Sequence, residues 1–161
     1  MSRSMDTIHS FGRQHDHQHC IDEALATAAR ICHENGAKLT WIRRRVLELI
    51  WSAHEPVLAY DLLKSIRVDK PNAAPPTVYR ALEFLSNQKL IHKIQSLNAY
   101  TGCPHPAEPH SGLFLICTHC KEIAELEAPE ISAAVLNQTE KTGFQIEHQT
   151  MEILGVCSQC R

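Results

Sequence analysis

Four cysteines constrain this chain more than any other feature: Cys117-x-x-Cys120 and, after 36 intervening residues, Cys157-x-x-Cys160. Each pair can clamp one edge of a tetrahedron, and four thiolates fill the coordination shell of Zn²⁺. A filled shell leaves no position for water, so such an ion is structural rather than catalytic. It would tie a strand in the second half of the sequence to its last residues and close a small module. The competing interpretation is two redox dithiols or separate buried thiols. A thioredoxin-type site uses one pair, set before a helix, and leaves the other unexplained.

Compartment bears on that choice. No apolar run approaches the ~18 residues of a bilayer span. The N-terminal stretch MSRSMDTIHSFGRQHDHQHC lacks the apolar core of a secretory signal. A cytoplasmic location is therefore expected, where cysteines stay reduced and serve as metal ligands more often than as disulfides. The length of 161 residues suits one ordinary domain or two small ones, and 43% hydrophobic with 21% charged residues is ordinary globular composition. The net charge of −2 is unevenly spread. Residues 21–100 carry 11 Lys/Arg against 8 Asp/Glu, a balance of +3; residues 101–161 carry 3 against 8, a balance of −5. Two modules are implied, with any polyanion meeting the first.

Periodicity fills in those modules. Residues 1–20 are polar and histidine-rich, and read as a mobile tail; His15, His17, His19 and Cys20 could take a metal there. A first helix is expected from about Asp22 to Asn35, burying Leu25, Ala28, Ala29 and Cys32 and stopped by Gly36. Thr40 is a good N-cap for a second helix with Ile42, Val46, Leu49, Ile50 and Ala53 on its apolar stripe. Pro56 ends it, and a third helix near Leu58 to Val68 buries Leu58, Leu62, Leu63 and Ile66. Pro75 and Pro76 suit the entry to a fourth helix. There Val78, Ala81, Leu82 and Leu85 share one side, and Tyr79, Arg80, Glu83 and Asn87 project from the other. Extended runs at Ile91 to Gln95 and Ala99 to Gly102, with a turn at Leu97-Asn98, complete a winged helix-turn-helix over residues 21–102. Prolines mark a hinge linker at 103–111. Strands at Leu113 to Cys117 and Ile123 to Leu126, a helix from Pro129 to about Thr142 closed by Gly143, and at least one strand within Phe144 to Val156 form the module 112–161. The fold class is α+β.

Two further constellations carry chemistry. Cys103, His105 and His110 lie in the linker and His92 in the wing, while EIAELE supplies Glu122, Glu125 and Glu127. A site drawn from His92, Cys103, His110 and one of these glutamates has a mixed N/S/O shell that suits Zn²⁺ better than Fe²⁺ or Mn²⁺. It would join the two modules across the hinge and fix their angle. The bland alternative is a loop of solvated histidines. On the fourth helix, Arg80 can donate two hydrogen bonds to guanine, and Tyr79 can meet a thymine methyl or a phosphate. Thr77, Arg43, Arg44 and Lys93 are placed for the DNA backbone. The alternative is that Tyr79 and Arg80 merely solvate a surface helix.

The segments LTWIRRRVLELI, AYDLL, PPTVYRALEFL, IHKIQSLNAY, HSGLFLICTHC and CSQC resemble the ferric uptake regulator family over about Ala24 to Cys160. PPTVYRALEFL, the following HK and the linker cysteine are most similar to its zinc uptake regulator branch. The resemblance implies a homodimeric, metal-loaded repressor with a winged-helix DNA-binding domain and a small α/β dimerisation domain. Its structural zinc falls on Cys117, Cys120, Cys157 and Cys160. Its sensing zinc falls on His92, Cys103, His110 and Glu125, the glutamate now being chosen by position. It also favours Tyr79 and Arg80 as DNA readers. Two Zn²⁺ per subunit follow, with His105 and His148 as candidates for an auxiliary site. A dimer implies a near-palindromic double-stranded operator, and neither a membrane nor a small-molecule substrate is expected. Within the family, a sensor of iron, manganese or peroxide is the alternative, although Cys103 disfavours a nitrogen- and oxygen-rich Fe²⁺ site. A zinc-dependent enzyme is the rival from another class. The deaminase signature is missing its proline before CTHC and its upstream H-x-E.

Overall fold

A computed structural model describes residues 17–53, 55–106, 112–147 and 149–161. The described residues fall into two compact units, one running to 106 and the other starting at 112. Their elements separate cleanly into a mostly helical set and an α/β set.

The first unit holds α1 (His17–Glu34), α2 (Trp41–Ser52), β1 (Val57–Leu58), α3 (Ala59–Asp69), α4 (Pro75–Asn87), β2 (Ile91–Ile94) and β3 (Ala99–Gly102). α1 begins five residues before the expected Asp22. No helix breaker interrupts His17 to Ile21, the Gln18 amide bonds the Asp22 carboxylate at 3.1 Å, and Ile21 is buried. Of the tail, residues 1–16 lie outside the described residues. The helix ends at Gly36, with φ +62°. The Ala37 N–H donates to the Cys32 carbonyl at 2.8 Å and the Gly36 N–H to His33 at 3.1 Å. Such a stop needs a left-handed residue, which glycine supplies without steric penalty.

The apolar face of α1 is Ile21, Leu25, Ala28, Ile31 and Cys32. Ala29 is exposed, contrary to expectation, because one residue past Ala28 turns ~100° away from the core. Cys32 is a core residue, and burial raises its thiol pKa. Thr40 occupies the N-cap position of α2, but its side chain makes no capping bond; its carbonyl accepts the Arg44 N–H at 2.9 Å. α2 ends at Ser52, ahead of Pro56. Leu58 is 44% exposed instead of buried, because it lies in β1, not on α3.

α3 and α4 form the helix-turn-helix. Pro75 and Pro76 fill the first helical positions of α4, where a missing N–H costs nothing. Its expected inner face, Val78, Ala81, Leu82 and Leu85, is no more than 2% exposed. Those side chains join Val46, Leu47, Ile50, Leu62, Leu63 and Ile66 in one core. β2 and β3 are the antiparallel wing, with His92 opposite Thr101 and Lys93 opposite Tyr100; β1 adds a third strand in the order β1-β3-β2. Asn98 turns the hairpin at φ 48°.

The second unit holds β4 (Gly112–Cys117), β5 (Ile123–Glu125), α5 (Pro129–Glu140) and β6 (Thr150–Gly155). β4 is central, antiparallel to β5 and parallel to β6, in the order β5-β4-β6. Its sequence Gly112–Cys117 is almost wholly buried, as a central strand requires. Phe114, Leu113, Ile116, Ala124 and Ala128 make most of the apolar interior. No residue of α5 is buried.

Gly102 shows how tightly the wing is packed. A Cβ there would run into three atoms of the Trp51 indole, well inside van der Waals contact. Gly102→Ala is expected to destabilise the protein by ~1–3 kcal/mol through overpacking. Chemical denaturation followed by Trp fluorescence measures this; an unchanged midpoint would contradict the packing described.

Candidate metal centre and nucleic-acid interface

The four cysteines meet where the sheet delivers them. Cys117 is the last residue of β4 and pairs with Gly155, the last residue of parallel β6. Both strands therefore end side by side, and Cys157 follows two residues later. The β4–β5 turn brings Cys120 back. The Thr118 N–H donates to the Gly155 carbonyl at 2.8 Å, the Lys121 N–H to the Cys117 carbonyl at 3.0 Å, and the Cys117 N–H to the Glu122 carbonyl at 3.0 Å. Lys121 takes φ 63° to close the turn. A lysine in the left-handed region costs ~1–2 kcal/mol, a strain the surrounding bonds must hold in place. The Cys160 N–H reaches the Cys157 carbonyl at 3.1 Å in the second loop.

All four Sγ atoms lie within 4.8 Å of one another. Cys120 and Cys157 are 3.8 Å apart, and the Cys157 N–H points at the Cys117 sulfur at 3.5 Å. Cys117 and Cys157 are buried, with Cys120 and Cys160 partly so. The cluster carries negative charge unevenly. The Cys157 and Cys120 backbone N–H groups draw the Cys117 thiol down to about 6. Cys160 is pushed up to about 12, first by sharing a hydrogen bond with Cys157 and then by burial. On Cys120 the Glu122 backbone contact lowers the pKa, but burial and the neighbouring sulfurs raise it on balance. One thiolate is thus tolerated and further ones repel it. A soft divalent cation removes that conflict, and the all-sulfur donor set fits zinc in a closed, structural shell.

Among the described residues this is the one group of three or more His, Cys, Asp or Glu side chains close enough to hold an ion. Of the other expected ligands, His92 is half-buried on β2 and Cys103 is buried just after β3, its N–H on the Leu90 carbonyl at 3.0 Å. Glu125 ends β5 at 5% exposure, the one buried charged side chain among the described residues. His110 and His148 lie outside the described residues, and His105 and His119 are exposed. None of the described ones joins the four sulfurs. Sequence pattern does not reveal Lys121 or the Glu122 carbonyl, which shape the first cysteine turn; a lysine at a left-handed position leaves no compositional trace.

The exposed face of α4 is as expected. Tyr79 is 57% exposed, Arg80 is exposed beside it, and Thr77 is half-buried near the helix start. Arg44 and Lys93 are exposed. Arg43 is occupied differently: its guanidinium carbon lies 3.5 Å from the Phe84 ring centroid, and it donates to the Lys38 carbonyl. Arg45 is held by Asp69 at 2.8 Å and Glu48 at 3.0 Å, which raises its pKa.

Residues 34–154 match the model of the Ferric uptake regulator family. The zinc uptake regulation protein of Escherichia coli (strain K12) is 37% identical over 139 residues, covering 86% of this chain and 81% of that protein. A zinc uptake regulator in complex with zinc and DNA superposes with a TM-score of 0.83 at 37% identity, covering 87% of this chain and 94% of that one. Holo XcZur superposes with a TM-score of 0.79 at 41% identity, covering 86% and 97%.

With Cys120 and Cys160 both above the ordinary thiol range, each is protonated at neutral pH. Filling the cluster must then expel at least two protons per zinc. Adding zinc to metal-free protein at pH 7 in weak buffer with a pH indicator counts them. Release of fewer than one would contradict four-thiolate binding.

Proposed function

We propose, on the premise that this chain belongs to the ferric uptake regulator family, that it is a zinc-responsive transcriptional repressor of zinc-uptake genes, acting in the cytoplasm. The reading rests most on α4, a recognition helix with its apolar side in the core and Tyr79 and Arg80 turned outward on a winged helix-turn-helix. The relative solved with zinc and DNA supports that reading.

Arg80 reads guanine through a bidentate contact, Tyr79 a thymine methyl or phosphate, and Thr77, Arg44 and Lys93 the backbone. One arginine–guanine pair supplies ~1–3 kcal/mol of discrimination, too little for a genomic site. Two copies together with phosphate contacts suffice, so the protein binds a near-palindromic double-stranded operator as a homodimer. Support for the dimer comes from the second unit. α5 exposes Ile131 and Leu136, and β6, an edge strand, exposes Ile153 and Leu154. Large apolar side chains left exposed on a helix and on an edge strand call for a partner. No described helix is long and apolar enough to cross a membrane.

Each subunit takes two zinc ions. Cys117, Cys120, Cys157 and Cys160 hold one permanently. His92, Cys103, His110 and Glu125 hold a second, exchangeable one. The burial of both Cys103 and Glu125 supports this set, since each would bind as an anion away from bulk water and Zn²⁺ would supply the compensating charge. Their two negative charges neutralise Zn²⁺, whereas four thiolates leave the first site at a net −2. The mixed set holds the ion less tightly and lets it leave. Zinc at this second set favours the DNA-binding arrangement by population shift; tenfold tighter operator binding needs ~1.4 kcal/mol of differential metal affinity. His105 and His148 are candidates for an auxiliary site.

Cys103→Ser is expected to weaken zinc-dependent operator binding at least tenfold while keeping the native circular dichroism, whereas Cys117→Ser should unfold the second unit. If both variants behave alike, the division into exchangeable and permanent ions fails. Arg80→Ala should lose about tenfold or more of its preference for operator over scrambled duplex in a zinc-loaded gel-shift. Retained preference would remove Arg80 from base reading, and binding indifferent to zinc would remove the regulatory role.

A further inference from the structure

Arg43 is assigned by the sequence to the DNA backbone, yet its guanidinium is engaged within the protein. It lies over the Phe84 ring, 3.5 Å from the centroid, and donates to the Lys38 carbonyl. That carbonyl also accepts the Thr40 N–H at 3.1 Å, so the acceptor is itself fixed. Phe84 is one helical turn beyond Arg80 on α4, hence on the same stripe of the helix. Phe84 and Ile42 both pack against the main core. Arg43 thus links three things: the connection before α2, the first turn of α2 and the last turn of the recognition helix.

We infer that Arg43 is a positioning residue that sets the rotation and depth at which α4 presents Tyr79 and Arg80, and not a phosphate contact. The chemistry requires arginine. A planar guanidinium can stack on a ring while its edge N–H groups donate in the ring-parallel plane. A lysine ammonium keeps the charge but cannot do both at once. Arg44, the neighbouring exposed cation, serves as the contrast, since its side chain is open to a phosphate. This inference rests on the DNA-binding reading above.

The test compares Arg43→Lys, Arg43→Gln, Phe84→Leu and Arg44→Gln in the full-length, zinc-loaded protein. The probes are the duplex that the wild type enriches from a randomised library and a scrambled duplex of equal length. Arg43→Lys and Phe84→Leu are expected to lower the ratio of specific to scrambled affinity about tenfold, the size of one degraded base contact. All three Arg43 and Phe84 variants should leave the salt dependence of scrambled binding unchanged. Arg44→Gln should do the reverse, reducing the slope of log affinity against log salt by about 0.9 for each phosphate it no longer neutralises, while sparing the ratio. In parallel, amide exchange across residues 78–84 should quicken in Arg43→Lys without DNA. The proposal is overturned if Arg43→Lys keeps wild-type discrimination, if Arg43→Gln flattens the salt slope as Arg44→Gln does, or if amide exchange in α4 is unaltered. A wild type that enriches no duplex would sink the DNA-binding reading and the reading-depth role with it. The exchange arm would then still decide whether Arg43 holds α4.

Discussion

Four sulfur atoms within 4.8 Å of one another can all be thiolates only around a cation, and the second unit is built on that condition. Apart from the cysteines, its described interior is little more than Leu113, Phe114, Ile116, Ala124 and Ala128. So few apolar side chains cannot offset the ordering of roughly fifty residues. A structural zinc contributes ~10–16 kcal/mol in small peptide modules, more than that interior can. It also sets register. Cys117 ends β4 opposite Gly155, the last residue of parallel β6, Cys157 follows two residues later, and Cys120 lies at the turn into β5, so one ion would pin all three strands. A slip of one residue would turn every side chain of β4 to the wrong face.

The first unit has no such dependence. Its helices share one continuous core from Ile21 on α1 to Tyr100 on β3, and the functional helix is held by ordinary packing. Under the proposed function, this separation lets the same chain keep one ion for folding and use another for signalling. A four-thiolate shell around a register-setting ion is too costly to open. On the same reading, a neutral mixed shell would hold its ion less tightly and could exchange it more readily than the four-thiolate shell. On that reading the exposed faces divide in the same way: Tyr79 and Arg80 on α4 would offer polar and aromatic groups to a duplex, and Ile131, Leu136, Ile153 and Leu154 on α5 and β6 would meet a second subunit.

What is legible in the sequence follows from which interactions are local. α4 is legible because its prolines mark its start and its 3.6-residue pattern is undisturbed; all four expected core positions are buried. The four-cysteine cluster is legible because metal chemistry fixes residue type and spacing regardless of fold. β1 is not, since two residues show no alternation, and its Leu58 reads as a core position of α3. The start of α1 is hidden because His17, His19 and Cys20 carry little helix signal, and Ile21 anchors it from the core. Lys89 follows α4 and Lys121 closes the cysteine turn at φ 58° and 63°, positions where glycine would have been the readable sign. Arg43 looks free in the sequence for a related reason: its stacking partner Phe84 is distant along the chain, and only the folded protein brings the two together. Local pattern thus discloses elements and ligands, and long-range packing decides which exposed-looking charges are free.

A permanent four-thiolate ion, distinct from an exchangeable one, is the central claim. X-ray absorption at the zinc edge, recorded before and after treatment with a moderate chelator, tests it directly. The predicted result is that one zinc per chain survives, with four sulfur ligands at ~2.3 Å and no nitrogen or oxygen, while a second ion with a mixed shell is removed. Complete stripping of zinc from a protein that keeps its second unit folded, or a surviving ion with nitrogen ligands, would contradict it.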